Sequence, residues 1–292
     1  MYSLYQRYNL MSDRLFLFAG YDKNCIIDDA LIYYVRTLSQ YGDVILCMDS
    51  DCNDAEIQKI NQYTIKTIAK RHGEYDFGSY KRAFQYARDN DLLKNYDIVY
   101  MVNDSVFGPM FDINNTIKNI EQLPTDAAGI VISKHKTHKF MESWFVRLNT
   151  KIFMSDWFDE FMSNVTKEES KDIITVKYEH GLTNLIKNHG CSYSGIYEFY
   201  GRFTYNNPKS LFKHGCPFIK KASFIRHNGA CGKQIKYIFN HSEPDVVQKI
   251  MTTANRVYGQ KYIDKFLTYN PIKIFVRNLT YFIKKIKNGD AI

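Results

Sequence analysis

At 292 residues with 45% hydrophobic content, the chain can bury a sizeable core, as one large domain or one domain with an appendage. Its net charge of +8 sits largely at the end, where seven basic residues face two acidic ones from Lys261 onward; the mildly basic body argues against a nucleic-acid partner. The six cysteines form no Cys-x-x-Cys pair and no zinc spacing, which argues against a zinc site and fits reduced thiols in a cytoplasmic compartment.

The first half alternates strands and helices. Arg14–Ala19 is an apolar run of strand length closed by Gly20. Ile26–Gln40 carries Ile27, Leu31, Tyr34, Val35 and Leu38 at helical spacing and stops at Gly42. Asp43–Met48 is a second strand, followed by Asp49, Ser50 and Asp51; Asp54–Asn61 is helical and Tyr63–Ala69 is a third strand. Arg71–Gly78 is a polar loop that opens a helix over Ser79–Asn90. Ile98–Val102 is the next strand, rich in β-branched and aromatic residues; it ends abruptly in Asn103, Asp104 and Ser105, with a turn at Gly108-Pro109. This alternation predicts an α/β fold, a mostly parallel sheet flanked by helices and joined by right-handed crossovers. No Gly-x-Gly-x-x-Gly follows the first strand and there is no Walker loop, which disfavours a dinucleotide site.

Further on, Asp112–Gln122 is predicted helical and Ala127–Ser133 a strand, while the aromatic stretch His135–Phe153 reads as a hairpin or a loop with a strand. Ser155–Met162 and Thr166–Asn188 are helical, and Pro217–Arg226 is a strand and loop. Tyr193–Gly215, rich in Tyr, Asn and Gly, has no period that selects helix or strand. Pro244–Val257, Gln260–Leu267 and Pro271–Lys287 form a helical C-terminal extension.

Three places carry chemistry. Ligands in open α/β sheets sit beyond the carboxyl ends of the strands, where Asp104 either holds a metal ion or sugar hydroxyl, or caps the following turn. The loop Arg71–Gly78 opens a helix, whose amides bind phosphate. Arg71, Lys81 and Arg82 add positive charge there, and Asp76 suits a ribose or base; alternatively Asp76 caps the helix and the basic residues are solvated. Glu179 shares a helix face with Leu182 and Ile186, where a carboxylate is costly unless used or paired. It reads as a general base or as half of a structural ion pair. His180, His189, His214, His227 and His241 show no His-x-x-x-His pair.

Four stretches together resemble the rhamnan synthesis protein F family, bacterial glycosyltransferases of polysaccharide and lipopolysaccharide assembly. They are Tyr75-Asp76-Phe77-Gly78-Ser79-Tyr80-Lys81, Asn103-Asp104-Ser105-Val106-Phe107-Gly108-Pro109, Tyr178-Glu179-His180-Gly181-Leu182-Thr183 and Pro217-Phe218-Ile219-Lys220. The resemblance covers about residues 14–225. It implies a GT-A-like fold, with a nucleotide-sugar-binding α/β half over 1–135, an acceptor and catalytic half over 136–240, and a helical region over 241–292. It also implies an inverting transfer of a sugar, possibly a deoxyhexose such as rhamnose, to a bacterial polysaccharide or lipid-linked glycan. Glu179 would be the base, with Asn103, Asp104, Ser105 and Lys220 among the donor contacts and Asp51 a further nucleotide contact. Such enzymes hold Mg or Mn with an Asp-x-Asp; the single carboxylate of Asn103-Asp104-Ser105 departs from that pattern. The rival readings are a nucleotidyltransferase, for which Gly20-Tyr21-Asp22 is a poor phosphate loop, and a non-catalytic glycan-binding module, which would not need Glu179 on an apolar face.

Arg7 and Arg14 flank no long apolar stretch, so no signal peptide is expected, and no segment reaches the ~18 apolar residues of a membrane span. Pro271–Lys287 instead presents Ile272, Phe275, Val276, Leu279, Phe282, Ile283 and Ile286 on one face, flanked by Lys273, Arg277, Lys284, Lys285 and Lys287. A basic amphipathic helix of this kind lies on anionic lipid. The expectation is a cytoplasmic protein held peripherally on the inner face of the cell membrane.

Overall fold

One eight-stranded sheet organises the first part of the chain. The computed structural model describes residues 14–225, 231–268 and positions 271, 272, 275, 276, 279, 280, 282 and 283. Strands β1 (Arg14–Gly20), β2 (Asp43–Met48), β3 (Lys66–Ala69) and β4 (Ile98–Asn103) lie in the order β3-β2-β1-β4, all parallel. Helices Asp29–Leu38, Asp54–Gln58 and Tyr75–Asp89 form the crossovers between them. The central strands are continuous apolar runs because both faces of the sheet are covered. Leu15–Ala19 and Val99–Val102 are fully buried.

The remaining strands are β5 (Val106–Phe107), β6 (Ala127–Lys134), β7 (Lys139–Met141), β8 (Phe145–Asn149), β9 (Tyr193–Tyr200) and β10 (Ile219–Lys220). In the large sheet β4 pairs antiparallel with β8, β8 with β6, and β6 with β7, while β9 also pairs with β6. The α/β sheet is therefore parallel over its first four strands and antiparallel beyond them. A tight turn at 135–138 joins β6 to β7, and such turns connect only antiparallel neighbours.

Several element boundaries differ from expectation for local reasons. The first helix begins at Asp29 rather than Ile26 because Asp28 caps it, accepting from the Leu31 N–H at 3.0 Å. The helix after β3 begins at Tyr75, inside the stretch expected to be a loop. The helix expected over Thr166–Asn188 begins at Lys171 and is interrupted: Lys171–Ile174 passes into a π-helical turn, Thr175–His180, and then Gly181–Asn188. The wider turn shifts the phase, so Ile174, Tyr178, Leu182 and Ile186 form the buried face and Glu179 stands half-buried at its margin. Tyr193–Gly215 resolves into β9 and two short helices, Phe203–Asn206 and Pro208–Lys213.

The chain divides into two compact units. One comprises the chain through Asp104 with Ile117–Glu198, and it carries the large sheet; the other comprises Ser105–Thr116 with the chain from Phe199 onward. In the second unit β10 pairs antiparallel with β5, and Phe224 packs its ring against Phe107, Tyr258 and Phe266. Among the described residues no helix is long and apolar enough to cross a membrane. Positions 271, 272, 275, 276, 279, 280, 282 and 283 are helical, and Ile272, Phe275, Val276, Leu279, Phe282 and Ile283 are exposed. Lys273, Arg277, Lys284, Lys285, Ile286 and Lys287 of the expected amphipathic helix lie outside the described residues.

Candidate active site

The loops at the carboxyl ends of β1–β4 are tied to one another by carboxylates. Asp49 follows β2 and is buried; its Oδ1 accepts from the backbone N–H of His72 at 2.7 Å and of Gly73 at 2.9 Å. Asp51 Oδ1 accepts from the Arg71 N–H at 3.0 Å, and the Arg71 guanidinium lies 3.9 Å from Asp51 Oδ2. Three successive amides of the loop after β3 are thus held by the loop after β2. The exposed Arg71 guanidinium also sits 5.8 Å from the centre of the Tyr21 ring, just after β1.

His72 locks the start of the next helix. Its Nδ1 accepts from the Glu74 N–H at 3.1 Å, which leaves Nε2 to donate to Ser79 Oγ at 3.0 Å. Burial, and then the nearby Arg82, push this imidazole below its ordinary pKa. Gly78 is required here: a Cβ would stand 2.3 Å from Glu74 Cβ and 2.8 Å from the His72 ring. Arg82 grips Glu74 with two bonds of 2.8 and 3.1 Å and donates to the Gly78 carbonyl at 2.8 Å. That hydrogen-bonded pairing lowers the Glu74 pKa.

A second set of contacts joins β4 to the π-helical turn. Asn103 Nδ2 donates to Asp76 Oδ2 at 3.1 Å, and the Asp104 N–H donates to the Ala19 carbonyl at 3.0 Å. The Asn103 N–H donates to the Trp144 carbonyl at 3.1 Å. One residue before Trp144, Ser143 donates to Glu179 Oε1 from its backbone N–H at 2.7 Å and from Oγ at 2.8 Å. The Tyr80 hydroxyl donates to the Ser143 carbonyl at 2.9 Å, and the Trp144 indole donates to Glu142 Oε2 at 2.8 Å. The segment Glu142-Ser143-Trp144 therefore links the strand end bearing Asp104 to Glu179 through backbone bonds.

The expected site residues fall into four groups. Asn103, Asp104 and Asp76 meet at the end of β4, and Glu179 is tied to the same strand end through Ser143 and Trp144. Arg71 and Asp51 pair with each other across the loops. Lys81 and Arg82 turn to protein partners instead: Lys81 Nζ donates to the Val165 carbonyl at 2.8 Å, and Arg82 closes on Glu74. In the second unit, Lys220 Nζ donates to Ser105 Oγ at 3.0 Å and lies 5.5 Å from the centre of the Tyr205 ring. Sequence reasoning passed over Tyr21, Asp49, His72 and Ser143. An acid directly after an apolar strand could have flagged Asp49. Nothing local marks Ser143, whose partner lies 36 residues away.

Among the described residues no three His, Cys, Asp or Glu side chains gather to hold a metal. The single Asp104 carboxylate fits an ion held by one or two carboxylates, with substrate phosphates and water completing its shell. All six cysteines are free, and burial pushes the Cys47 thiol up to about 12.

This architecture is an α/β sheet flanked by helices, and the chain is a glycosyltransferase. It belongs to the rhamnan synthesis protein F family, whose model matches residues 44–281. No curated protein matches the chain. Among solved structures it is similar to a protein from Desulfovibrio desulfuricans G20 described as a nucleotide-diphospho-sugar transferase, with 14% identity over 86% of this chain and 99% of that one, at a TM-score of 0.40. It is also similar to a cytidylyltransferase from Leptospira borgpetersenii, with 11% identity over 82% and 97% and a TM-score of 0.37. The core-mannan synthase A of Aspergillus fumigatus, in an Mn/GDP form, shares 10% identity over 53% of this chain and 64% of that one, at 0.31. Likenesses this remote carry no argument about substrate.

Proposed function

We propose that the protein transfers a sugar from a nucleotide-sugar donor to a bacterial polysaccharide or lipid-linked glycan, with inversion and with Glu179 as the base. The family suggests a deoxyhexose such as rhamnose as the donor sugar. Residues 1–135 would hold the donor and 136–240 the acceptor. The acceptor hydroxyl gives its proton to Glu179, its oxygen bonds to the anomeric carbon, and the bond from that carbon to the diphosphate breaks on the opposite side. Asp104 and Asp76 hold the donor, and Arg71 carries charge toward the departing diphosphate. Asp104 is the residue that would hold Mg or Mn, which when bound supplies positive charge at the diphosphate.

What supports this reading is the position of Glu179. Its Oε1 accepts both Ser143 bonds, which fixes the carboxylate and leaves Oε2 to the substrate. The same segment bonds to the strand end that carries Asp104. The exposed apolar side chains of the last helix, with the basic residues around them in the sequence, suit attachment to the inner, anionic face of the cell membrane.

The test is a thermal-shift and transfer screen of dTDP-, UDP- and GDP-sugars on the full chain. A sugar nucleotide that both stabilises the protein and supports transfer bears the reading out. If no sugar nucleotide does either, the reading fails.

A further inference from the structure

The π-helical turn that bears Glu179 also bears His180, whose ring lies in a cluster that the transfer step leaves unused. The β6–β7 hairpin turns through Lys134-His135-Lys136-Thr137-His138-Lys139, closed by the His135 N–H donating to the His138 carbonyl at 2.8 Å. Its tip, His135–Lys139, is exposed. The His135 and His138 rings stack 4.8 Å apart with planes at 7°. His180 lies 4.9 Å from His138 and 3.9 Å from the Phe140 ring. Three imidazoles therefore share one patch at the hairpin, whose exposed tip also carries Lys136. At its margins Lys134 and Lys139 pair with Glu198, and Lys139 also lies over the Tyr193 ring.

We propose that this hairpin tip and His180 form a subsite for a phosphate group on the acceptor, beside the base that deprotonates the acceptor hydroxyl. The placement rests on reading Glu179 as that base. Three imidazoles this close repel one another once protonated, so the patch favours cations only when an anion lies among them. Burial holds the His180 pKa down; Glu179 opposes it, and His138 and then His135 add smaller lowering effects. The groups around the rings can be named element by element. β6 contributes Lys134, the tip Lys136, and β7 Lys139; the π-helical turn contributes Glu179 and Lys177, and β9 contributes Tyr193 and Glu198. The acids among them are engaged, Glu198 by Lys134 and Lys139 and Glu179 by Ser143, and Lys177 pairs with Glu168. A neutral sugar would be met by acids and amides. A phosphate is met by N–H donors, which form the stronger charge-assisted bonds. An anion is held best by protonated rings, so binding tightens as the pH falls from about 8 to about 6.

The experiment follows the histidine ring protons of the full-length protein by NMR while inorganic pyrophosphate is added. The expected result is that the His135, His138 and His180 signals move together, respond more strongly at pH 6 than at pH 8, and move less in high salt. Changing both Lys136→Ala and His138→Ala should weaken the response by about tenfold or more, the loss of at least one hydrogen bond to a charged group. His72, in the donor loop, gives a separate signal for nucleoside diphosphate; that signal should survive the double change and confirms that the variant is folded. Rings that ignore pyrophosphate at millimolar concentration overturn the subsite. Rings that respond only to phosphatidylglycerol vesicles overturn it in favour of a membrane contact. If pyrophosphate moves the rings but Glu179→Gln transfers normally, the base assignment fails and the placement beside it falls, while phosphate binding stands.

Discussion

Replacing Glu179 with Gln separates the chemical role of this carboxylate from its packing. Glu179 Oε1 accepts two bonds from Ser143, at 2.7 and 2.8 Å, and the amide oxygen of Gln can accept both. Stability should therefore hold to within about 1 kcal/mol. Basicity, however, is lost, and removing a general base typically slows a reaction ~10²–10⁴-fold, about 3–5 kcal/mol of barrier. Glu179→Ala is a useful contrast. It strips the acceptor from the Ser143 amide, which is buried, and should destabilise by about 1–3 kcal/mol besides slowing transfer. The assay measures turnover with saturating donor and acceptor, alongside nucleoside diphosphate affinity by calorimetry. If Glu179 is the base, Glu179→Gln shows slow turnover, unchanged melting temperature and unchanged nucleotide affinity. Near wild-type turnover would refute it, and so would unfolding of the Gln variant, since the carboxylate would then be structural.

Asp104→Ala should abolish transfer with the circular dichroism spectrum nearly unchanged, because Asp104 is a half-buried loop residue beyond the strand end and keeps its backbone bond to Ala19; a variant with normal turnover would remove Asp104 from the site. Asp126 tests the sheet rather than the chemistry: bonds from the Ser192 N–H and hydroxyl pull its pKa down to about 2. A carboxylate depressed in the folded state contributes stability above its unfolded pKa near 4 and loses it as the pH falls toward 2. The melting temperature of Asp126→Asn should accordingly be lower at neutral pH and flatter between about pH 4 and pH 2; a wild-type profile would show that these bonds contribute little. Removing residues 271–292 should release the protein from anionic liposomes in flotation, and salt should weaken binding of the full chain. Full-length protein that ignores such liposomes at low salt would rule the membrane role out.

The parallel half of the sheet was legible because its strands are unbroken apolar runs ending in polar residues, as Ile98–Asn103 does before Asp104. In the antiparallel half β6 was legible as Ala127–Ser133, while β7 and β8 were not separately legible within the aromatic stretch His135–Phe153, since only the turns between them tell them apart. Glu179 stood out as an acid among helical apolar positions, although the π-helical turn changes which neighbours share its face. Lys81 and Arg82 show what spacing leaves out. Their charge beside a polar loop suggested phosphate, yet the structure engages them with the Val165 carbonyl and Glu74. Sequence spacing reports which residues are close along the chain, and those partners depend on helix phase and on contacts across the fold. Ser143 is the extreme case, invisible until the hairpin and the π-helical turn come together.

The π-helical turn at Thr175–His180 has a consequence for how the protein tolerates insertions and deletions. A π-helical turn within an α-helix accommodates one more residue than the regular spacing allows. Deleting a single residue from Thr175–Tyr178 would let the helix run on as a regular α-helix. Ile174 and Ile186 would then be eleven residues apart, within about 20° of three full turns, so both keep the buried face. The residues inside the turn, Glu179 among them, would be re-aimed and lose their present direction toward Ser143. Homologues that preserve the base should therefore also preserve the length of this turn, whatever side chains line it.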